Sequence, residues 1–185
     1  RNDLEYVEIY NPTAAPIDLT GWRLREGIDY DFDDGTILPA GGRLVVLPFD
    51  PEKPDNAVRA AFFRSVYGLG DSAPLVGGWA GRLNNAGERI ELQRPGEPPA
   101  DDPDYTPHTI EDDVAYGPDA PWPASADGLG DALDRVASWG RDGLSWAART
   151  PSPGSAGVPA DFDFDGDVDL DDFVILKQNF GLTGT

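Results

Sequence analysis

The chain has 185 residues, 39% of them hydrophobic, which is enough for one domain of ordinary size and a small appendage. Asp and Glu number 34 against 14 Lys and Arg, and the net charge of -20 would repel nucleic-acid phosphates. The absence of cysteine excludes disulfides, thiol nucleophiles and thiolate metal sites. No apolar run has the length of a membrane-spanning helix, so we do not expect membrane insertion. Because of the negative charge, we do not expect nucleic-acid binding either.

Short strands separated by turn residues predominate in residues 1–157. "LEYVEIYNP" alternates, which places Val7 and Ile9 on one face. A turn at Asp34 and Gly35 precedes a nearly continuous apolar strand from Leu44 to Leu47, and only "NAVRAAFFRSVYG" is typical of a helix. The pattern predicts a mostly β fold, an antiparallel β-sandwich.

Five segments of this part occur in the same order as the motifs of a known protein family. They are "EYVEIYNPTAAPIDLTGWRLRE", "FDDGTILPAGGRLVVL", "GRLNNAGERIELQRPG", "DDVAYGPDAPWPASADGLGDALDR" and "WAARTPSPGSAG". Together they resemble lamin tail domains, which occur in nuclear lamins and in many secreted bacterial proteins. The resemblance spans nearly all of residues 4–157. It implies an immunoglobulin-like β-sandwich.

One strand of that family is missing here. Members usually begin with another strand ahead of the one that contains "EYVEIYNP", whereas only three residues precede Leu4 in this sequence. Without that strand, a sheet edge keeps unpaired N–H and C=O groups. Either the chain is a cleaved or truncated form, or a neighbouring subunit supplies the strand, as in a self-assembling filament or cell-surface structure.

The segment "DFDFDGDVDLDD" has an aspartate at every second position up to residue 169 and a glycine at 166, the spacing of a twelve-residue calcium loop over 161–172. The ligand positions fall on Asp161 (one), Asp163 (three), Asp165 (five), Asp167 (seven, through its backbone carbonyl), Asp169 (nine, through a water) and Asp172 (twelve). Gly166 takes the sharp turn. Asp172 is one methylene shorter than the usual Glu, which predicts weaker binding.

"DDFVILKQNF" follows the loop and predicts a helix over 171–180, with Phe173 and Leu176 on its apolar face. No helix precedes the loop, because "TPSPGSAGVPA" is rich in proline and glycine. This half EF-hand resembles one repeat of a type I dockerin, whose repeats also carry Asp at position twelve. Dockerins pair two repeats and this chain has one, which argues against cohesin binding. We therefore assign 1–157 to the lamin-tail-like sandwich and 158–185 to the dockerin-like repeat.

Catalytic chemistry is not indicated by any motif. His108, the only histidine, lies in a proline- and aspartate-rich stretch that predicts a surface loop, and no G-x-S-x-G elbow accompanies it. None of the many carboxylates is singled out as a catalytic pair. Trp122, between two prolines, is the best candidate for an exposed ring on which a sugar stacks, although most sandwich tryptophans belong to the core.

These features predict a non-enzymatic, extracellular structural or binding module with a structural calcium ion. Its partner is expected to be another protein or a second copy of the chain. The alternative is an adhesion or carbohydrate-binding accessory domain of a larger secreted protein. The extracellular location follows from the weak calcium loop, which would stay empty at cytosolic calcium concentrations and fill at extracellular ones.

Overall fold

The structure, a computed structural model, describes residues 2–127, 129–136 and 140–155. The chain divides into two compact units, residues 1–154 and 155–185. All described strands and helices belong to the first unit. The predicted calcium loop over 161–172 and the predicted helix over 171–180 lie outside the described residues.

Short strands make up most of the regular structure. In chain order they are β1 (Val7–Tyr10), β2 (Ile17–Asp18), β3 (Arg23–Glu26), β4 (Ile28–Asp31), β5 (Ile37–Leu38), β6 (Arg43–Leu47), β7 (Leu75–Gly77), β8 (Ala80–Gly81), β9 (Glu88–Pro95), β10 (His108–Tyr116), β11 (Ala132–Arg135) and β12 (Trp146–Arg149). The α-helix of the described residues, α1, spans Ala57–Tyr67. Short 3-10 helices occur at Asn2–Leu4, Pro54–Asn56, Ala124–Ala126 and Gly143–Ser145.

Two larger sheets enclose the core. The strand order is β1-β6-β7 in the first and β10-β9-β3-β4-β8 in the second, while β2 with β5 and β11 with β12 form two short pairs. Only β6 and β7 are parallel among the described pairs, because α1 connects them and returns the chain to the same end of the sheet. The predicted mostly β, immunoglobulin-like sandwich is confirmed, with one parallel pair that the sequence analysis did not anticipate.

The main core lies between the two larger sheets. Ile9 of β1 is buried in it and Val7 packs against it, as their alternation predicted. Ile90 and Leu92 of β9 are half-buried against the same cluster from the opposite sheet. Its buried members are Ile9, Leu19, Leu24, Ile28, Phe32, Leu38, Leu44, Val46 and Trp79.

β6 is apolar from Leu44 to Leu47 because both of its faces are covered. Leu44 and Val46 face the main core, whereas Val45 and Leu47 pack in a second cluster beneath α1. That cluster also contains the fully buried Phe63 of α1. The predicted helix is confirmed, and it ends where the N–H of Gly68, in the left-handed conformation, bonds to the Arg64 carbonyl.

Asn11 joins the end of β1 to the loop that follows β5. Its side chain is fully buried, and Nδ2 lies 2.8, 3.1 and 2.9 Å from the carbonyl oxygens of Ala15, Leu38 and Pro39. Oδ1 accepts hydrogen bonds from the backbone N–H and the hydroxyl of Thr13. The amide therefore uses its donors and its acceptor within the protein, which holds the C-terminal end of β1 in place.

Asn11→Ala is expected to lower the unfolding free energy by about 2 kcal/mol, because it leaves buried carbonyl groups without a donor. Urea unfolding measures the effect. Asn85→Ala, at an exposed turn position, is the matched control and should change stability by less than about 0.5 kcal/mol. Equal effects of the two substitutions would show that the buried amide does not stabilise this junction.

Candidate functional site

β1 forms an outer edge of the three-stranded sheet. Among the described strands it pairs with β6 alone. The Asn11 N–H donates to the Gly42 carbonyl at 3.0 Å and continues this ladder. Along an antiparallel strand, successive residues direct their N–H and C=O groups alternately toward and away from the partner strand. Because the Asn11 N–H points toward β6, the backbone groups of Glu8 and Tyr10 point away from it. The outer side of β1 thus presents two N–H and two C=O groups to an added strand.

The side chains along this edge are already held in place. Arg43 Nη1 of β6 donates to Glu8 Oε1 at 2.6 Å, and the Arg43 guanidinium lies 4.5 Å from the centre of the Tyr10 ring. Glu8 Oε2 also accepts a hydrogen bond from the Gly154 N–H at 2.5 Å. Ordered side chains lose less entropy on binding, which favours this surface as an interface.

Burial also shapes the surroundings of β1. It is the main cause of the raised pKa of Tyr6, and the negative charges of Asp134 and Glu8 add to that effect. Burial likewise raises the pKa of Asp134, while the positive charges of Arg149 and Arg43 offset part of the change.

The other edges of the two larger sheets are less suited to strand addition. β10 is the outer strand of the second sheet, and its pairing with β9 is shifted by a bulge between Ile110 and Asp112. It also carries three consecutive carboxylates, Glu111 to Asp113. Bulges and charges are features that block edge-to-edge pairing. β7 and β8 have only three and two residues.

A network of ion pairs, which the sequence analysis did not single out, surrounds the carboxylates of β9 and β10. Arg89 Nη2 lies 3.1 Å from Glu91 Oε1 and 3.0 Å from Asp113 Oδ2. Arg141 Nε lies 2.9 Å from Asp113 Oδ1, and Gln93 donates to Glu91 Oε2 at 2.6 Å. The sequence held one sign of this network. In "RIEL", charged and apolar residues alternate, which places Arg89 and Glu91 on one face of the strand.

Trp122 lies in a turn and is half-buried. Its ring centre is 6.3 Å from that of Trp146, and the Arg135 guanidinium lies 4.7 Å from the centre of the Trp146 ring. Arg135 in turn forms a bidentate ion pair with Asp112. The two indoles and the arginine form one packed group, from which part of Trp122 remains accessible to solvent.

Two other tryptophans contribute to the sandwich core. Trp79 is buried in the main core, and Trp22 is half-buried against it. Trp139 lies outside the described residues. Trp122 is therefore better placed than Trp22 or Trp79 for contact with a ligand.

His108 is the first residue of β10, so the predicted surface loop ends earlier than expected. Nδ1 lies 3.0 Å from the Thr106 carbonyl oxygen, and Nε2 lies 3.1 Å from that of Gly21. Both ring nitrogens therefore contact backbone carbonyls, not a serine or an aspartate. This arrangement does not form a Ser-His-Asp triad.

The predicted calcium ligands lie outside the described residues. They are Asp161, Asp163, Asp165, Asp167, Asp169 and Asp172. Within residues 2–127, 129–136 and 140–155, no group of three or more His, Cys, Asp or Glu side chains is arranged to hold a metal ion. The same residues contain no helix with both the length and the apolar character needed to cross a membrane.

Comparison with known proteins identifies the first part of the chain. The family profile of the lamin tail domain matches residues 1–97, which extend from the segment before β1 to the end of β9. Comparisons with curated proteins and with solved structures found no match. The matched segment covers more than half of the 185 residues, and it contains the strands that form most of the two sheets. The chain belongs to the lamin tail domain family.

Proposed function

We propose that this chain is a non-enzymatic, extracellular protein-interaction module in which β1 receives a strand from a neighbouring subunit. Lamin tail domains are non-enzymatic β-sandwich modules that often take part in protein interactions. The observation that carries the proposal is the outer side of β1, where the backbone groups of Glu8 and Tyr10 point away from β6. Strand addition uses such groups for affinity.

A second copy of the chain fits this edge. If two β1 strands pair antiparallel around Ile9, Glu8 of each copy lies opposite Tyr10 of the other. That register joins the two three-stranded sheets and avoids placing Glu8 against Glu8, which would be unfavourable. The contact is self-complementary, as a two-fold symmetric dimer requires.

Tyr10→Pro is expected to weaken this dimer at least about tenfold. Proline removes the outward N–H, so the two copies lose two hydrogen bonds of about 1 kcal/mol each. The pairing of β1 with β6 is kept, because the Tyr10 N–H does not point toward β6 and proline is tolerated on edge strands. Analytical ultracentrifugation over a concentration series gives the dissociation constant.

Tyr10→Ala is the matched control, since it removes the same ring but retains the N–H. The proposal expects Tyr10→Ala to dimerise much more tightly than Tyr10→Pro. If the two variants had the same dissociation constant, the ring and not the backbone edge would be the point of contact.

The acidic C-terminal segment is proposed to bind one calcium ion. The support is the spacing of Asp161, Asp163, Asp165 and Asp172, with the Asp167 carbonyl and a water on Asp169 completing the set. Calcium would neutralise clustered carboxylates and so couple ion binding to folding of the segment. An ion site of low affinity is filled only where calcium is abundant, which supports an extracellular location.

A glycan is the second candidate partner. The supporting observation is the pair of half-buried indoles of Trp122 and Trp146, whose ring centres are 6.3 Å apart. Sugar rings stack on such surfaces through their apolar faces. In that case the chain would be an adhesion or carbohydrate-binding accessory domain, with no need for β1 to pair.

A further inference from the structure

The side of α1 that faces solvent is apolar. The exposed residues of this helix, none of them charged, are Ala57, Val58, Ala61, Phe62, Ser65 and Val66. Val58, Phe62 and Val66 are 82%, 39% and 46% exposed. The opposite side of α1 packs in the second core through Phe63 and Tyr67. Surface helices usually direct charged residues toward water, so an exposed apolar face of this kind is typical of an interaction surface.

The exposed residues of α1 form two parallel rows, each with a spacing of four residues. The large row consists of Val58, Phe62 and Val66, and the small row beside it consists of Ala57, Ala61 and Ser65. Rows with this spacing are the ridges and grooves through which two helices pack. The large row of one α1 can therefore lie over the small row of a second α1, and the reverse contact forms at the same time. The face is self-complementary, as a two-fold symmetric contact requires.

The charges around this face also favour a second copy as the partner. α1 contains two arginines and no acidic residue, whereas the whole chain has 34 Asp and Glu and a net charge of -20. Arg59 Nη2 lies 2.6 Å from Asp3 Oδ1, and Arg64 donates hydrogen bonds to the carbonyl groups of Gly70 and Ala73. Two copies with this net charge repel each other, and the repulsion is weakest where acidic side chains are absent. Because the charged side chains of α1 are all cationic, this helix is a favourable place for two acidic copies to meet.

We propose that the exposed face of α1 binds the same face of a second copy of the chain. The contact is weak by itself, because a face of one 11-residue helix is smaller than a standard protein interface. It is separate from the β1 edge, since α1 covers a face of the three-stranded sheet through Val45 and Leu47. A copy that uses both surfaces joins two neighbours, so assembly continues beyond a dimer. Growth beyond a dimer rests on the proposed strand addition, whereas the α1 contact does not.

Static light scattering of the full chain over a concentration series tests the α1 contact. The mass of wild-type particles is expected to rise past that of a dimer as the concentration increases. Ala61→Glu is expected to lower this mass to that of the β1 dimer, because it places a carboxylate from each copy at the centre of the contact. Like charges at an interface should raise the dissociation constant of the α1 contact at least about tenfold.

Ala100→Glu is the matched control, since it adds the same charge at an exposed position in the loop between β9 and β10. This variant should assemble as the wild type does. Glutamate is a good helix former, so Ala61→Glu should keep α1 folded, which circular dichroism checks. If that variant fails to fold, Val58→Glu replaces it, because an acidic residue in the first turn stabilises a helix.

Nitrogen-15 NMR gives a second readout in Tyr10→Pro, where the α1 contact remains and the β1 contact is weakened. The amide signal of Ser65 should shift with concentration in that variant, and the further substitution Ala61→Glu should remove this dependence. A particle mass that Ala61→Glu does not lower would overturn the α1 contact. Failure of strand addition gives a different result, in which Tyr10→Pro has the same mass as the wild type and Ala61→Glu is monomeric.

Discussion

Phe63→Ala is expected to lower the unfolding free energy by about 4 kcal/mol, a large part of the stability of a typical domain. Phe63 is fully buried, and its ring centre lies 6.0 Å from that of Tyr6 and 4.7 Å from that of Tyr67. Removing the ring opens a cavity between α1 and the three-stranded sheet, where Val45 and Leu47 also pack. Urea unfolding followed by tryptophan fluorescence gives the value.

Val58→Ala is the matched control on the same helix, because Val58 is 82% exposed. It should change stability by less than about 0.5 kcal/mol. Alanine has a higher helix propensity than either phenylalanine or valine. A loss of unfolding free energy that occurs only in Phe63→Ala must therefore come from lost packing. Similar values for the two variants would mean that α1 does not form the second core.

Asp161→Ala or Asp165→Ala is expected to abolish calcium binding by the C-terminal segment while the sandwich stays folded. Each substitution removes a carboxylate from a loop that needs six to eight oxygens around the ion. Without the ion, the clustered aspartates repel one another and the segment loses its calcium-dependent order. Isothermal titration calorimetry measures binding, and circular dichroism with and without calcium measures the ordering.

Asp167→Asn provides a control within the loop, since position seven binds through its backbone carbonyl. This variant should still bind calcium, with an affinity reduced only by the loss of a nearby charge. Absence of calcium binding in the unaltered chain would refute the proposed site. Loss of binding in Asp167→Asn as complete as in Asp161→Ala would refute the assignment of ligand positions.

Local patterns predicted much of the sandwich. The alternation of Val7 and Ile9, the apolar run of β6 and the helical stretch around Phe63 each correspond to an element of the structure. Each of these features depends only on residues that are close together in sequence. They can therefore be predicted without knowledge of the tertiary structure. The parallel pairing of β6 with β7 was missed, because an apolar strand does not indicate the direction of its neighbour.

The acidic strand β10 shows why other features could not be predicted. Glu111, Asp112 and Asp113 are poor strand formers, so the sequence favoured a loop through His108 and Ile110 and indicated a strand only from "EDDVAYG" onward. The structure compensates their charges with arginines from distant positions, among them Arg89 and Arg135. Such pairs depend on tertiary contacts, which a local pattern does not reveal.

Strand addition at β1 is the central claim, and the particle mass in solution tests it most directly. Size-exclusion chromatography with light scattering should give a dimer or a larger particle both in calcium and in EDTA, because the joint is the β1 edge. A folded monomer in both solutions would contradict the account and favour the glycan-binding alternative. A particle that dissociates in EDTA would contradict it too, since the calcium-binding segment would then be the joint.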